Sequence, residues 1–97
     1  MGQEMMKLIE LIGRLAEYDD ELTIYAEKPW RGNSKALVIL EPDDGGLPQE
    51  AEKNKLEYFL EIFVANEFLE GWNSKYGKNS TKKETCDRLI SYAKNDA

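Results

Sequence analysis

The spacing of hydrophobic residues at the start of the chain predicts a helix over residues 3–18. Met5, Leu8 and Ile12 recur at intervals of three and four positions, so they would share one face of a helix. Three acidic residues follow Tyr18. Acidic side chains are mildly unfavourable there, because the C-terminal end of a helix is the negative end of its dipole. The helix should therefore end by Tyr18.

The next two elements have the pattern of β-strands. Residues 22–27 alternate between apolar and polar side chains, which is typical of a half-buried strand. Residues 28–34 form a loop, and residues 35–41 are rich in strand-forming side chains that are apolar on both faces. We predict an antiparallel hairpin whose second strand lies in the interior of a sheet.

The segment over residues 55–72 has two interpretations, because a short helix that begins at Pro48 could continue through it. As one helix, it would place Glu57 and Glu61 in line with its apolar stripe. As a strand over residues 56–63 followed by a new helix, it separates polar from apolar side chains better. We favour the strand, because a two-stranded hairpin alone is marginally stable.

The last helix has a clear start signal. Thr81 and Glu84 have the spacing of a capping box, and the helix should extend to about Lys94. The prediction is one domain over residues 1–97, of α+β class, in the order α-β-β-α-β-α-α. A three-stranded antiparallel sheet would carry the helices on one face. The alternative is α-β-β-α-α with one long central helix.

The residue types present exclude most catalytic chemistry. The chain has no histidine and a single cysteine, Cys86, which falls on the apolar stripe of the last helix and is expected to be a core thiol. No glycine-rich phosphate loop is present, and Asp43-Asp44-Gly45 lacks the spaced acids of a calcium loop. We expect no catalytic residues, no cofactor and no metal.

Charge is distributed unevenly along the chain. The net charge is −6, with −9 over residues 1–70 and +3 over residues 71–97. An acidic surface favours a basic protein partner and disfavours nucleic acid. The longest apolar runs are far shorter than a membrane span, and acids near the N-terminus are unlike a signal peptide. We therefore expect a cytoplasmic protein that does not bind membranes.

Two acidic clusters and one loop are the candidate binding surfaces. Trp and Arg are enriched at interface hot spots, and the hairpin loop offers little core in which to bury them. An equally weighted alternative is that Trp30 folds back over the sheet edge. The predicted partner-binding residues are Asp19, Asp20, Glu21, Trp30, Arg31, Asp43 and Asp44.

Two stretches carry a resemblance to a known group of proteins. The sequence PQEA at residues 48–51, then YFLEI at residues 58–62 and an amphipathic helix, resembles small cytosolic bacterial immunity-type proteins. Uncharacterised bacterial domains share the same outline. The resemblance implies a non-enzymatic, high-affinity inhibitor that holds a basic toxin, often a nuclease, through acidic side chains.

Two other functions stay open at this point. The chain could be a small enzyme or ligand-binding protein whose site forms at a homodimer interface, with Tyr25 and Tyr58 among carboxylates. It could also be a structural subunit whose apolar sheet face is closed by dimerisation.

Overall fold

A computed structural model of the protein describes residues 5–76 and 81–96. The elements along the chain are β1 (Met6–Lys7), α1 (Leu8–Ile12), a 3-10 helix (Leu15–Glu17), β2 (Leu22–Ala26), β3 (Lys35–Leu40), α2 (Gln49–Lys53), β4 (Glu57–Glu61), α3 (Ile62–Tyr76) and α4 (Lys82–Asp96). The strands form one antiparallel sheet in the order β1-β3-β2-β4. The α+β class is confirmed.

The predicted hairpin is present. β2 and β3 are antiparallel, with Leu22 opposite Leu40 at one end and Ala26 opposite Ala36 at the other. β3 lies in the interior of the sheet, as its run of apolar residues indicates. The two strands therefore form the centre of the sheet.

The strand interpretation of the segment after α2 is confirmed, and the single long helix is wrong. β4 pairs with β2, and α3 begins directly after it. The predicted alternation fails within β4, because the register shifts opposite Ile24 and Tyr25. This irregularity buries both Phe59 and Leu60 and leaves Tyr58 42% exposed. A β-bulge thus sets which side chains of β4 enter the core.

The prediction of one helix over residues 3–18 is wrong, and so is the three-stranded sheet. The chain instead adds β1 to the outer edge of β3, and its backbone stays bonded to the hairpin loop. The N–H of Leu8 donates to the carbonyl of Ser34, and that of Ile9 to the carbonyl of Gly32, both at 2.8 Å. These bonds give the backbone carbonyls of Ser34 and Gly32 a hydrogen-bond partner, which a continuous helix over residues 3–18 would not do. The first two residues of the predicted helix lie outside the described residues.

The sheet is covered on both faces, so the prediction that all helices pack on one face is wrong for α2. On one face, α1, α3 and α4 bury the larger core, whose members include Leu11, Ile24, Phe59 and Leu89. On the other face, Ala51 of α2 packs in a smaller cluster with Tyr25, Leu37 and Leu56. We call this smaller cluster the second-face cluster. The observed order is β-α-β-β-α-β-α-α.

Two helices, α4 and α2, begin within one residue of the positions that the sequence predicts. The N–H of Glu84 donates to the Thr81 hydroxyl oxygen at 3.0 Å, and the N–H of Thr81 donates to the Glu84 carboxylate at 3.5 Å. The capping box is therefore confirmed. α2 begins at Gln49, one residue after the predicted start, and Pro48 is its N-cap with an extended backbone. Among the helices of the described ranges, none has both the length and the apolar character to span a bilayer.

The bulge in β4 leads to a prediction about two neighbouring phenylalanines. Phe59 is 1% exposed and packs edge-on against Trp30 with 4.9 Å between ring centroids, whereas Phe63 is 49% exposed. Phe59→Ala should lower the free energy of unfolding by about 3–5 kcal/mol. The control Phe63→Ala should change it by about 0.5 kcal/mol or less. Urea unfolding followed by circular dichroism measures both, and equal losses would contradict the bulge.

Candidate protein-binding site

The antiparallel pairing of β2 with β3 brings two acidic segments to one end of the sheet. Leu22 pairs with Leu40, so residues 19–21 before β2 and residues 41–44 after β3 lie at the same end. Glu61, the last residue of β4, lies there too. We call this surface the acidic end. It consists of Asp19, Asp20, Glu21, Glu41, Asp43, Asp44 and Glu61.

The carboxylates of the acidic end face solvent. Six of the seven residues are exposed and Glu41 is half-buried. Neither of the two ion pairs in the described part of the chain includes any of them. The loop after β3 is shaped by its own bonds, since the N–H of Gly46 donates to Asp44 Oδ1 at 2.9 Å. The turn continues at Gly45, whose φ of 76° suits glycine.

Trp30 and Arg31 lie at the opposite end of the hairpin. Trp30 is 7% exposed, and its ring packs edge-on against Phe59 in the larger core. Its indole N–H donates to the carbonyl of Ala26 at 3.2 Å. The structure thus shows the arrangement in which Trp30 folds back over the sheet. Most of its surface is used in core packing.

Arg31 belongs to a cationic surface. It lines a groove of about 450 Å³ together with Lys83, Lys94 and Asp87, whose carboxylate pairs with Lys83 at 3.5 Å. A second groove, of about 480 Å³, lies beside it between Lys28, Trp30 and Lys94. About 13 Å of strand separates this end of the hairpin from the acidic end. The structure therefore brings the two predicted acidic clusters together and leaves Trp30 and Arg31 apart from them.

The sequence interpretation missed Glu41 and Glu61 as members of this surface. Glu41 follows the last residue of β3, and Glu61 lies opposite Thr23 of β2. The sequence does contain one indication for Glu61, because it is the charged residue within the otherwise apolar residues 58–64. Its proximity to the acidic loops depends on strand pairing, which the residues of β4 alone do not specify.

Tyr25 occupies the face of the sheet opposite the larger core. It is 1% exposed, and its ring meets that of Tyr58 edge-on, with 6.3 Å between centroids. Within the described ranges, its hydroxyl has no hydrogen-bond partner. The structure thus brings together the two tyrosines of the ligand-binding alternative, with Tyr25 buried beneath the surface.

The electrostatic environment of Tyr25 favours its neutral form. Burial, together with smaller electrostatic contributions from Glu41, Tyr58 and Glu61, raises the pKa of its hydroxyl to about 12. A phenol in this setting stays protonated at neutral pH. It can accept a hydrogen bond and donate one, but it does not supply a phenolate.

Cys86 lies in the larger core, as predicted. It is fully buried, and burial together with the charge of Asp87 raises the pKa of its thiol to about 11. A thiol with this pKa is a poor nucleophile at neutral pH. In the described part of the chain, no group of three or more Cys, Asp or Glu side chains is arranged to hold a metal ion.

A further groove, of about 550 Å³, lies between α3 and α4. Its walls are aromatic, with Phe68 against Tyr92 at 5.1 Å between centroids and the Arg88 guanidinium 5.7 Å from the Trp72 ring centre. These contacts pack the two helices together. None of the sequence-predicted binding residues lines this groove.

Comparison with known proteins adds no relative. No family model, no curated protein and no solved structure matches the chain. The likeness to immunity-type proteins therefore remains a prediction from residues 48–51 and 58–62.

Removal of the Tyr25 hydroxyl should stabilise the protein. Tyr25→Phe deletes a buried polar group that has no partner in the described structure, so the free energy of unfolding should rise by about 1 kcal/mol. The contrast is Tyr18→Phe, because the Tyr18 hydroxyl donates to the Met6 sulfur at 3.8 Å. That variant should show no gain. Urea unfolding at pH 7 compares the two, and a loss of stability in Tyr25→Phe would contradict the structure.

The raised pKa of Tyr25 also predicts how stability depends on pH. The unfolded chain releases this proton near pH 10 and the folded protein near pH 12, so the unfolded state gains relative stability as pH rises through this interval. Between pH 9 and pH 11, the free energy of unfolding of wild type should fall by about 1 kcal/mol relative to that of Tyr25→Phe. Parallel unfolding series at the two pH values measure this difference, and a constant difference would refute the prediction.

Proposed function

We propose that this chain is a non-catalytic protein-binding domain that docks a basic protein on its acidic end. Inhibition of a basic toxin, as in immunity-type proteins, is the form of this function that the sequence resemblance favours. Binding would require no chemical change in either partner. The proposal assigns the contact to Asp19, Asp20, Asp43, Asp44 and their neighbours at the acidic end.

One observation carries the proposal, namely the convergence of two acidic segments that are far apart in the sequence. Residues 19–21 and residues 41–44 meet because β2 and β3 pair antiparallel, and Glu61 adds a third source of charge. These carboxylates form none of the ion pairs of the described structure, so their charge is directed at solvent. Such a surface attracts a cationic partner at long range.

The magnitude of single contacts explains why a cluster is needed. An exposed ion pair contributes about 0.2–1 kcal/mol, which alone gives neither affinity nor selectivity. Several carboxylates on one surface raise the association rate together and disfavour acidic partners. Because these charges are exposed, salt screens them, with a screening length of about 10 Å at 0.1 M and less at higher concentration.

The test is a comparison of two variants with the same net charge. In the first, Asp19, Asp20, Asp43 and Asp44 are changed to Asn; in the second, Glu10, Glu52, Glu67 and Glu70 are changed to Gln. The control residues are exposed and lie outside the acidic end. Both sets remove four negative charges, so only the position of the lost charge differs.

Each protein is immobilised and incubated with a lysate of the host cell at 0.05 M and 0.5 M salt. Wild type and the Glu variant should capture the same basic protein at low salt, and capture should fall at least about tenfold for the Asp variant and at 0.5 M salt. A partner retained equally by both variants, or one that is acidic, would refute docking at the acidic end.

A further inference from the structure

The buried hydroxyl of Tyr25 is the feature that the docking surface alone does not explain. Nearly all buried polar groups in folded proteins have a hydrogen-bond partner, and this one has none among the described residues. The rest of its side chain is packed by Leu37, Ala51 and Leu56. A polar atom retained in such a place requires a specific explanation.

Two carboxylates of the acidic end, those of Glu41 and Glu61, act electrostatically on this hydroxyl. Tyr25 shares its face of the sheet with Glu61, which lies diagonally across from it on β4, opposite Thr23. Ile39 of β3 lies on this face too, and Glu41 comes two positions later, directly after the end of β3. Side chains two positions apart point to the same face of a strand. The second-face cluster and the acidic end therefore meet at Tyr25.

We propose that the acidic end contains a subsite for one primary ammonium group, formed by the Glu41 and Glu61 carboxylates and the Tyr25 hydroxyl oxygen. The proposal rests on the docking function described above, and it identifies the bound group as a lysine side chain of the basic partner. An ammonium group has three N–H donors and no acceptor. The three groups offer one acceptor each, so every donor is satisfied and two negative charges surround one positive charge.

The neighbouring ring of Tyr58 suits the rest of a lysine side chain. Tyr58 is 42% exposed and lies edge-on to Tyr25, at the boundary between the buried phenol and solvent. The aliphatic stem of lysine packs on an aromatic surface while its ammonium group enters a polar site. Because Tyr25 is only 1% exposed, neighbouring side chains must shift for the ammonium group to reach its hydroxyl.

A compact ammonium group fits this site better than a guanidinium group. The guanidinium of arginine is planar and wide, and it binds carboxylates through a rigid fork. The ammonium group is a small point charge on a flexible stem. Entry past Tyr58 to a hydroxyl at the depth of Tyr25 therefore selects lysine over arginine.

The test uses hexalysine as the probe and the full chain as the binding protein. Isothermal titration at low salt gives the dissociation constant for wild type, Tyr25→Phe and Glu41→Gln/Glu61→Gln. Loss of a hydrogen bond to a charged group should weaken hexalysine binding about tenfold in Tyr25→Phe. The double Gln variant should weaken it at least as much. The control Glu10→Gln/Glu67→Gln should weaken it much less.

A second probe separates hydrogen bonding from charge. Hexa-trimethyllysine keeps the six side-chain positive charges but has no N–H donor on its side chains, so wild type and Tyr25→Phe should bind it equally. Hexaarginine should bind wild type more weakly than hexalysine does. Nuclear magnetic resonance should show shifts of the Tyr25 and Tyr58 ring signals on addition of hexalysine. If Tyr25→Phe failed to fold, the double Gln variant and these shifts would still decide the result.

The outcomes distinguish this inference from the docking function. Hexalysine binding that is lost in the Asp19, Asp20, Asp43 and Asp44 variant but unchanged in Tyr25→Phe would overturn the subsite and leave docking at the acidic end intact. Absence of hexalysine binding to wild type would overturn the subsite, while the lysate experiment would decide docking separately. Equal weakening of both probes by Tyr25→Phe would also overturn it.

Discussion

Because β2 is hydrogen-bonded on both sides, to β3 and to β4, its alternating side chains divide the interior into two parts. Ile24 and Ala26 enter the larger core under α1, α3 and α4, while Tyr25 enters the second-face cluster under α2. A slip of one residue in this pairing would exchange the two faces. The larger core, the place of α2 and the acidic end all depend on this register.

Local signals were sufficient to predict several elements from the sequence. The hairpin follows from period-two alternation, the start of α4 from Thr81 and Glu84, and the start of α2 from Pro48. The N-terminal segment could not be predicted in the same way. Its apolar residues have helical spacing, and Leu8 and Ile12 are buried although Met5 is 41% exposed. Its backbone, however, pairs with the distant β3. The bulge at Phe59 likewise depends on pairing with β2.

The candidate site shows the same division between local and long-range information. Asp19 to Glu21 and Asp43-Asp44 are recognisable as acidic clusters, yet only the register of the hairpin unites them. The placement of Glu61 and the burial of Tyr25 depend on β4 pairing with β2. The sequence is equally compatible with Trp30 in partner contact and with Trp30 folded back over the sheet, and its place against Phe59 depends on which residues of β4 the bulge buries.

Arg31, Lys94 and the Lys83–Asp87 ion pair lie near one end of the hairpin, and the acidic end lies at the other. Cations exceed anions in the first group, so the molecule has an electric dipole moment. In the field of a strongly charged body, such a molecule experiences a torque as well as a net force. It turns before it collides, so that one end leads during approach. These cations would thus influence how often encounters with the proposed basic partner have a productive orientation, although they lie on the far side from the proposed docking surface.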